Sequence, residues 1–175
     1  MPPFCQLRVP ETLRVLDAAS RVGDVVYRAR MTAKADFADA EWASVLEGPP
    51  SAGLLVMFAQ RGGTFRETFA IAKAYTDARQ HHGQSELLDD IVAAKPQMDH
   101  TRYHSPDELT KACLAHLGEA VNVLKQKATP AELAEYKQFV LSVAEKVAGA
   151  HREDGQAVSP AEHAAIEQIT QALDA

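Results

Sequence analysis

The stretch that decides the fold is "SPDELTKACLAHLGEAVNVLKQKATPAEL", residues 105–133. It opens with Ser105-Pro106-Asp107-Glu108 and closes with Thr129-Pro130-Ala131-Glu132, two copies of one helix-start signal. In each, a hydroxyl at N-cap accepts from the amide of N3. Proline at N1 supplies a fixed helical φ, and the N3 glutamate reaches back to the N-cap amide. Between them Leu109, Ala112, Cys113, Leu117, Ala120 and Leu124 recur at three and four, the period of a helix with one buried face. The stretch therefore predicts a helix over 106–127, a tight turn, and a second helix starting at 130.

The same grammar extends outward. Ser159-Pro160-Ala161-Glu162 is a third start signal, and Thr64-Phe65-Arg66-Glu67 is a fourth without proline. Apolar stripes follow each. Leu133, Tyr136, Val140, Val143 and Val147 mark 130–150, and Ala165, Ile166, Ile169 and Leu173 mark 160–173. Phe65, Phe69, Ala72 and Tyr75 mark 64–79. Residues 11–22 and 24–34 also read as helices, punctuated at Gly23-Asp24, and "SAGLLVMFAQ" (51–60) is apolar nearly all round, as a central buried helix requires. Trp42 falls on an apolar helix face as a core anchor. No segment alternates over strand length with hairpin chemistry at its end. The expectation is an all-α, compact multi-helix bundle of eight or so helices in a single domain over 1–175.

Bulk properties narrow the function classes. Hydrophobic residues make up 46% of the 175, enough for a real core, and only 6% are aromatic, which suits closely packed helices. The formal charge of -6 argues against a nucleic-acid partner held by phosphate neutralisation. Residues 1–35 carry six basic groups against three acids, whereas Thr129 onward carries eight acids against three bases. Arg14, Arg21 and Arg28 share one face where the first helices are continuous, read as a solvated edge in preference to an anion-binding stripe. Cys5 and Cys113 are far apart without metal-ligand or redox spacing, and Cys113 lies in an apolar run. "MPPFCQLRVP" has no apolar core of a signal peptide, and the longest apolar run (52–59) is too short to span a bilayer. A cytoplasmic, soluble protein is expected.

One internal similarity stands out. "MTAKADFADAEWASVL" (31–46) aligns with "AGAHREDGQAVSPAEHAAIEQI" (148–169) when the turn differs in length, matching Phe37 to Val158, Glu41 to Glu162 and Val45 to Ile166. Each unit is an apolar helix, a short acidic loop and an amphipathic helix, which suggests a duplicated helix pair. Ala150, Asp154-Gly155, Val158 and Ser159 to Glu162 give this pattern a resemblance to the tellurite-resistance TerB-like family, over residues 136–172 with an echo at 25–46. The resemblance implies an all-helical bundle of pseudo-repeated halves and a role in stress or tellurite response, with metal ions or membrane-associated complexes. The chain departs from the family pattern at His151-Arg152-Glu153 and in the first unit, where Asp36 has no following glycine and Ala38 replaces the capping hydroxyl.

Candidate sites are few. A calcium loop over 150–161 would need oxygen ligands where Ala150, Arg152 and Ala161 stand, and Glu162 comes one residue late. What survives is an acidic set, Asp36 and Glu41 from the first unit with Asp154 and Glu162 from the second, as candidate ligands for a divalent metal. Asp99, His100 and His104 form a second metal-type trio, most simply surface residues of a loop. His81-His82 suits a helix C-terminus. His116 with Glu119 reverses the order used in di-iron bundles. No nucleophile elbow, P-loop or dinucleotide loop is present. The leading expectation is a non-enzymatic helical module acting by partner or ion binding. The alternatives are a metal-binding protein or metal-dependent enzyme built on the four carboxylates, and a structural homo-oligomer built on the 51–60 helix.

Overall fold

The computed structural model of the chain describes residues 31–59, 65–80, 85–96, 103–150 and 158–175, with Thr32–Ala175 forming one compact unit. Among these described residues a short 3-10 turn, Lys34–Asp36, precedes six α-helices: α1 Asp39–Ala59, α2 Phe65–Gln80, α3 Glu86–Ala93, α4 Pro106–Lys127, α5 Pro130–Ala150 and α6 Pro160–Asp174. Among the described residues there is no strand. The all-α bundle is therefore as the periodicity predicts. The helices expected at 11–22 and 24–34 fall outside the described residues except for 31–34, where Ala33 is extended (φ -118°, ψ 163°) rather than helical.

α1 is the central element. It packs most extensively on α4, then on α5, and also touches α6 and α2. Val45, Leu46 and every residue from Gly48 to Val56 are buried. The stretch read as a separate apolar helix at 51–60 is in fact the second half of this one helix, and it surfaces at its end, where Phe58 is 55% exposed. What the sequence reading did not anticipate is that α1 runs unbroken through Gly48-Pro49-Pro50.

Proline inside a helix removes the N–H that would bond the carbonyl four residues back, and its ring crowds that carbonyl. For Pro49 the carbonyl left over is that of Val45, a residue with no solvent exposure. The Tyr136 hydroxyl of α5 donates to this carbonyl at 2.9 Å. The partner lost within the helix is thus replaced from a neighbouring one, as a buried carbonyl requires. Gly48 makes room for it: a Cβ there would lie 2.0 Å from Tyr136 Oη. Gly53, one turn on, admits Ile71 of α2 in the same way, with Cδ1 2.8 Å from where a Cβ would stand.

The caps follow the predicted grammar. Ser105, Thr129 and Ser159 each accept from the amide of the glutamate three residues on, at 3.1, 3.3 and 3.2 Å. Glu132 and Glu162 reach back to the N-cap amides of Thr129 and Ser159. Glu108 differs, accepting from His104 N–H at 2.7 Å. Thr64 and its box lie outside the described residues. Ser85 caps α3 through Leu88 N–H, a start the sequence reading missed.

A polar corner anchors the entry to α1. Glu132 is buried and accepts from the N–H and hydroxyl of Thr32 (2.8 and 2.9 Å) and from the N–H and hydroxyl of Thr129 (both 2.8 Å). Burial works to raise its pKa, but these hydrogen bonds outweigh burial and hold the carboxyl below its ordinary value.

Candidate functional site

α2 shows where the outer surface departs from expectation. Phe65, Phe69, Ala72 and Tyr75 were the expected buried stripe, yet Phe69 is 74% exposed and Ala72 is also exposed. The face turned inward is Ala70, Ile71, Ala74 and Tyr75. Two stripes compete on this helix, and the one containing Ile71 wins because Ile71 fits the gap left by Gly53; Tyr75, common to both, stacks edge-on to Phe139 at 5.0 Å. Phe69 is left on the surface.

It stands beside a groove. Between α2 and α5 lies a cavity of about 530 Å³, lined by Phe69, Ala70, Lys73 and Asp77 on one wall and Glu145, Lys146, Gly149 and Ala150 on the other. Lys146 bonds Asp77 across it at 2.6 Å. A Cβ at Gly149 would meet nothing within 4 Å, so the glycine leaves the α5 wall open. A volume of this size, an apolar floor and a few charges on the rim are the usual features of a recognition site. A second groove of about 370 Å³ runs between the end of α1, the start of α4 and α6, with Phe58, Asp107 and Gln168 on its walls.

The four acidic candidates are placed as follows. Asp36 accepts from Ala33 N–H at 2.9 Å and closes the 3-10 turn. Glu41 accepts from Ala38 N–H at 2.7 Å, keeping the glutamate arm of a capping box where the hydroxyl is missing. Lys127 joins these two residues: its ammonium pairs with Glu41 at 2.6 Å, donates to the Asp36 carbonyl at 2.9 Å and lies 5.7 Å from the Phe37 ring centroid. Lys127 and the Ala38 amide hold the Glu41 carboxyl below its usual range. A side-chain cation thus already sits at this corner. Glu162 is fully buried and accepts from Ser159 N–H at 2.6 Å. Its neighbour Ala161 lines the second groove with Leu55 and Phe58, at the far end of α1 from Glu41. Roughly 20 Å of helix separate Glu41 from Leu55 at the standard rise, so Glu41 and Glu162 are not brought together. Asp154 lies outside the described residues.

Among the described residues no group of three or more His, Cys, Asp or Glu could hold a metal ion. Asp99, His100, His81 and His82 lie outside them. His116 Nδ1 is 3.2 Å from Ser51 Oγ, linking α4 to α1. Ser51 is buried in mid-helix and, like His116, lines neither groove. Cys113 is a buried core residue and Trp42 a core anchor, 5.5 Å from the Phe37 ring, as their positions predict. No helix among the described residues is long and apolar enough to cross a membrane.

Comparison with known proteins adds no neighbour: no family model, curated protein or solved structure matches the chain.

Lys73, Glu145 and Gly149 did not stand out in the sequence, and Phe69 stood out only as an expected core residue. The one signal available was that 64–79 supports two apolar faces, of which a single helix can bury only one.

Proposed function

We propose that this chain is a non-enzymatic helical module that acts by docking a protein partner on the face between α2 and α5, in the stress-response setting that the TerB-like resemblance implies. One observation carries the reading: Phe69, a large apolar side chain 74% exposed, stands at the edge of an open groove. Scattered exposed apolar residues are ordinary on a protein surface, but an aromatic beside a groove with a charged rim is the composition of an interaction hot spot. The polar groups buried elsewhere support the same reading, because they have structural uses. Tyr136 holds the Val45 carbonyl, and Glu132 gathers Thr32 and Thr129.

The test is genetic and uses the whole protein. Removing the gene should lower the tellurite concentration that halts growth, and the wild-type chain should restore it. Phe69→Asp should fail to restore growth although its circular dichroism and melting match the wild type. Growth unaffected by loss of the gene contradicts the stress role; full rescue by Phe69→Asp contradicts the docking face.

A further inference from the structure

The rim of the α2–α5 groove is balanced, although the chain as a whole carries a net charge of -6. Among the described residues two lysines and two acids line it, one of each on either wall. Lys146 of α5 is satisfied by Asp77 of α2 within the chain. Lys73 on the α2 wall and Glu145 on the α5 wall are exposed and form no ion pair among the described residues. An unmatched cation on one wall and an unmatched anion on the other make a face complementary to itself. A twofold axis running along the groove exchanges the walls, so that α2 of one copy meets α5 of the other.

We propose that two copies of this chain pair through the α2–α5 face, with Phe69 of each seated in the groove of the other and Lys73 of each opposed to Glu145 of the other. The pairing rests on the docking face proposed above and names its occupant. Three features fit a second copy better than an unrelated acidic or basic protein. The described residues of the rim carry no net charge to attract such a partner, whereas a twofold pair matches both unpaired charges of each copy. The apolar anchor and the cavity that receives it are on the same face, so one operation satisfies both. Gly149 leaves the receiving wall without a side chain, and a Cβ there meets nothing within 4 Å.

Sedimentation velocity of the full chain at low salt tests this, over a wide range of protein concentration. The wild type should pass from monomer to dimer as concentration rises. Lys73→Glu and Glu145→Lys should each weaken pairing about tenfold or more, because each places like charges together twice. Mixed in equal amounts, these two variants should associate with each other, since in the mixed pair both contacts become attractive again. Gly149→Leu should abolish pairing without lowering the melting temperature, because the new side chain enters open groove and improves helix propensity. A wild type that stays monomeric throughout overturns the pairing while leaving the face free for a different protein, which the growth assay judges separately. A dimer unchanged by both charge reversals, with no gain on mixing, places the interface elsewhere and also overturns it.

Discussion

Tyr136→Phe removes one oxygen from the centre of the bundle, and the structure sets what that costs. The hydroxyl donates at 2.9 Å to a carbonyl that Pro49 has deprived of its helical partner. A net hydrogen bond contributes about 0.5–1.5 kcal/mol, and a buried carbonyl left without a donor costs about 1–3 kcal/mol. Because these overlap, the substitution should destabilise the protein by about 2 kcal/mol, a sizeable part of the ~5–15 kcal/mol typical of a domain. Pro49→Ala tests the reason behind that number, since alanine restores an N–H four residues beyond Val45. In the wild type this N–H finds a carbonyl already served by Tyr136. In the Tyr136→Phe background it becomes the replacement donor. Urea denaturation of the four proteins in this cycle, with m-values checked for constancy, yields the coupling. Pro49→Ala should be more favourable in the phenylalanine background by about 1 kcal/mol or more. Effects that add to within about 0.5 kcal/mol would refute the claim that Tyr136 substitutes for the bond Pro49 removes. Gly48→Ala should behave consistently, destabilising the wild type by about 1–3 kcal/mol through the clash with Tyr136 Oη and costing less once that oxygen is gone.

Other perturbations discriminate between the remaining polar groups. Burial pushes the Tyr75 pKa up, and among the described residues its hydroxyl has no hydrogen-bond partner; Tyr75→Phe should therefore be neutral or stabilising by up to about 1 kcal/mol in the same denaturation assay, the opposite of Tyr136→Phe. Glu132→Gln should destabilise by about 1–3 kcal/mol at pH 7. Its folded-state pKa is depressed, so the stability it adds is present above the unfolded value and lost as pH falls through the folded one. The gap between wild type and variant should thus narrow progressively as pH falls below the ordinary value of 4.5, and a gap that stays constant on acidification until the protein unfolds would contradict the depressed pKa. Glu162→Gln and the wild type should show the same melting temperature with and without calcium, magnesium or zinc, apart from a constant offset. An ion-dependent rise in the wild type alone would instead make Glu162 a ligand.

The parts of the fold that local chemistry controls were legible in the sequence. Ser105, Thr129 and Ser159 start their helices where hydroxyl, proline and glutamate spacing puts them, and the stripes of α4, α5 and α6 face inward as their period requires. Ser85 escaped because its helix is short and carries no glutamate at N3. The continuity of α1 was not legible, because it depends on Tyr136, 87 positions beyond Pro49 in the chain. Local rules correctly say that Gly-Pro-Pro weakens a helix, and the tertiary donor replaces the bond lost at Pro49. The groove was hidden for a related reason. Which of two stripes on α2 is buried depends on the gap at Gly53, which Ile71 occupies, and the sequence of α2 alone does not distinguish Phe69 from a core residue. Of the carboxylates, pairing by similarity aligned Glu41 with Glu162, but likeness of local pattern does not place residues near one another, and α1 separates them along its length.

The most direct test of the central claim, that the face between α2 and α5 is where this protein meets its partner, is site-specific photo-crosslinking in the cells that make it. A benzoylphenylalanine introduced at Phe69 should give a discrete crosslinked band, either with a second copy of the chain or with one other protein. The same group at Gln138, exposed on α5 but outside the groove, should give none. Equal crosslinking at the two positions, or none at Phe69, would contradict it.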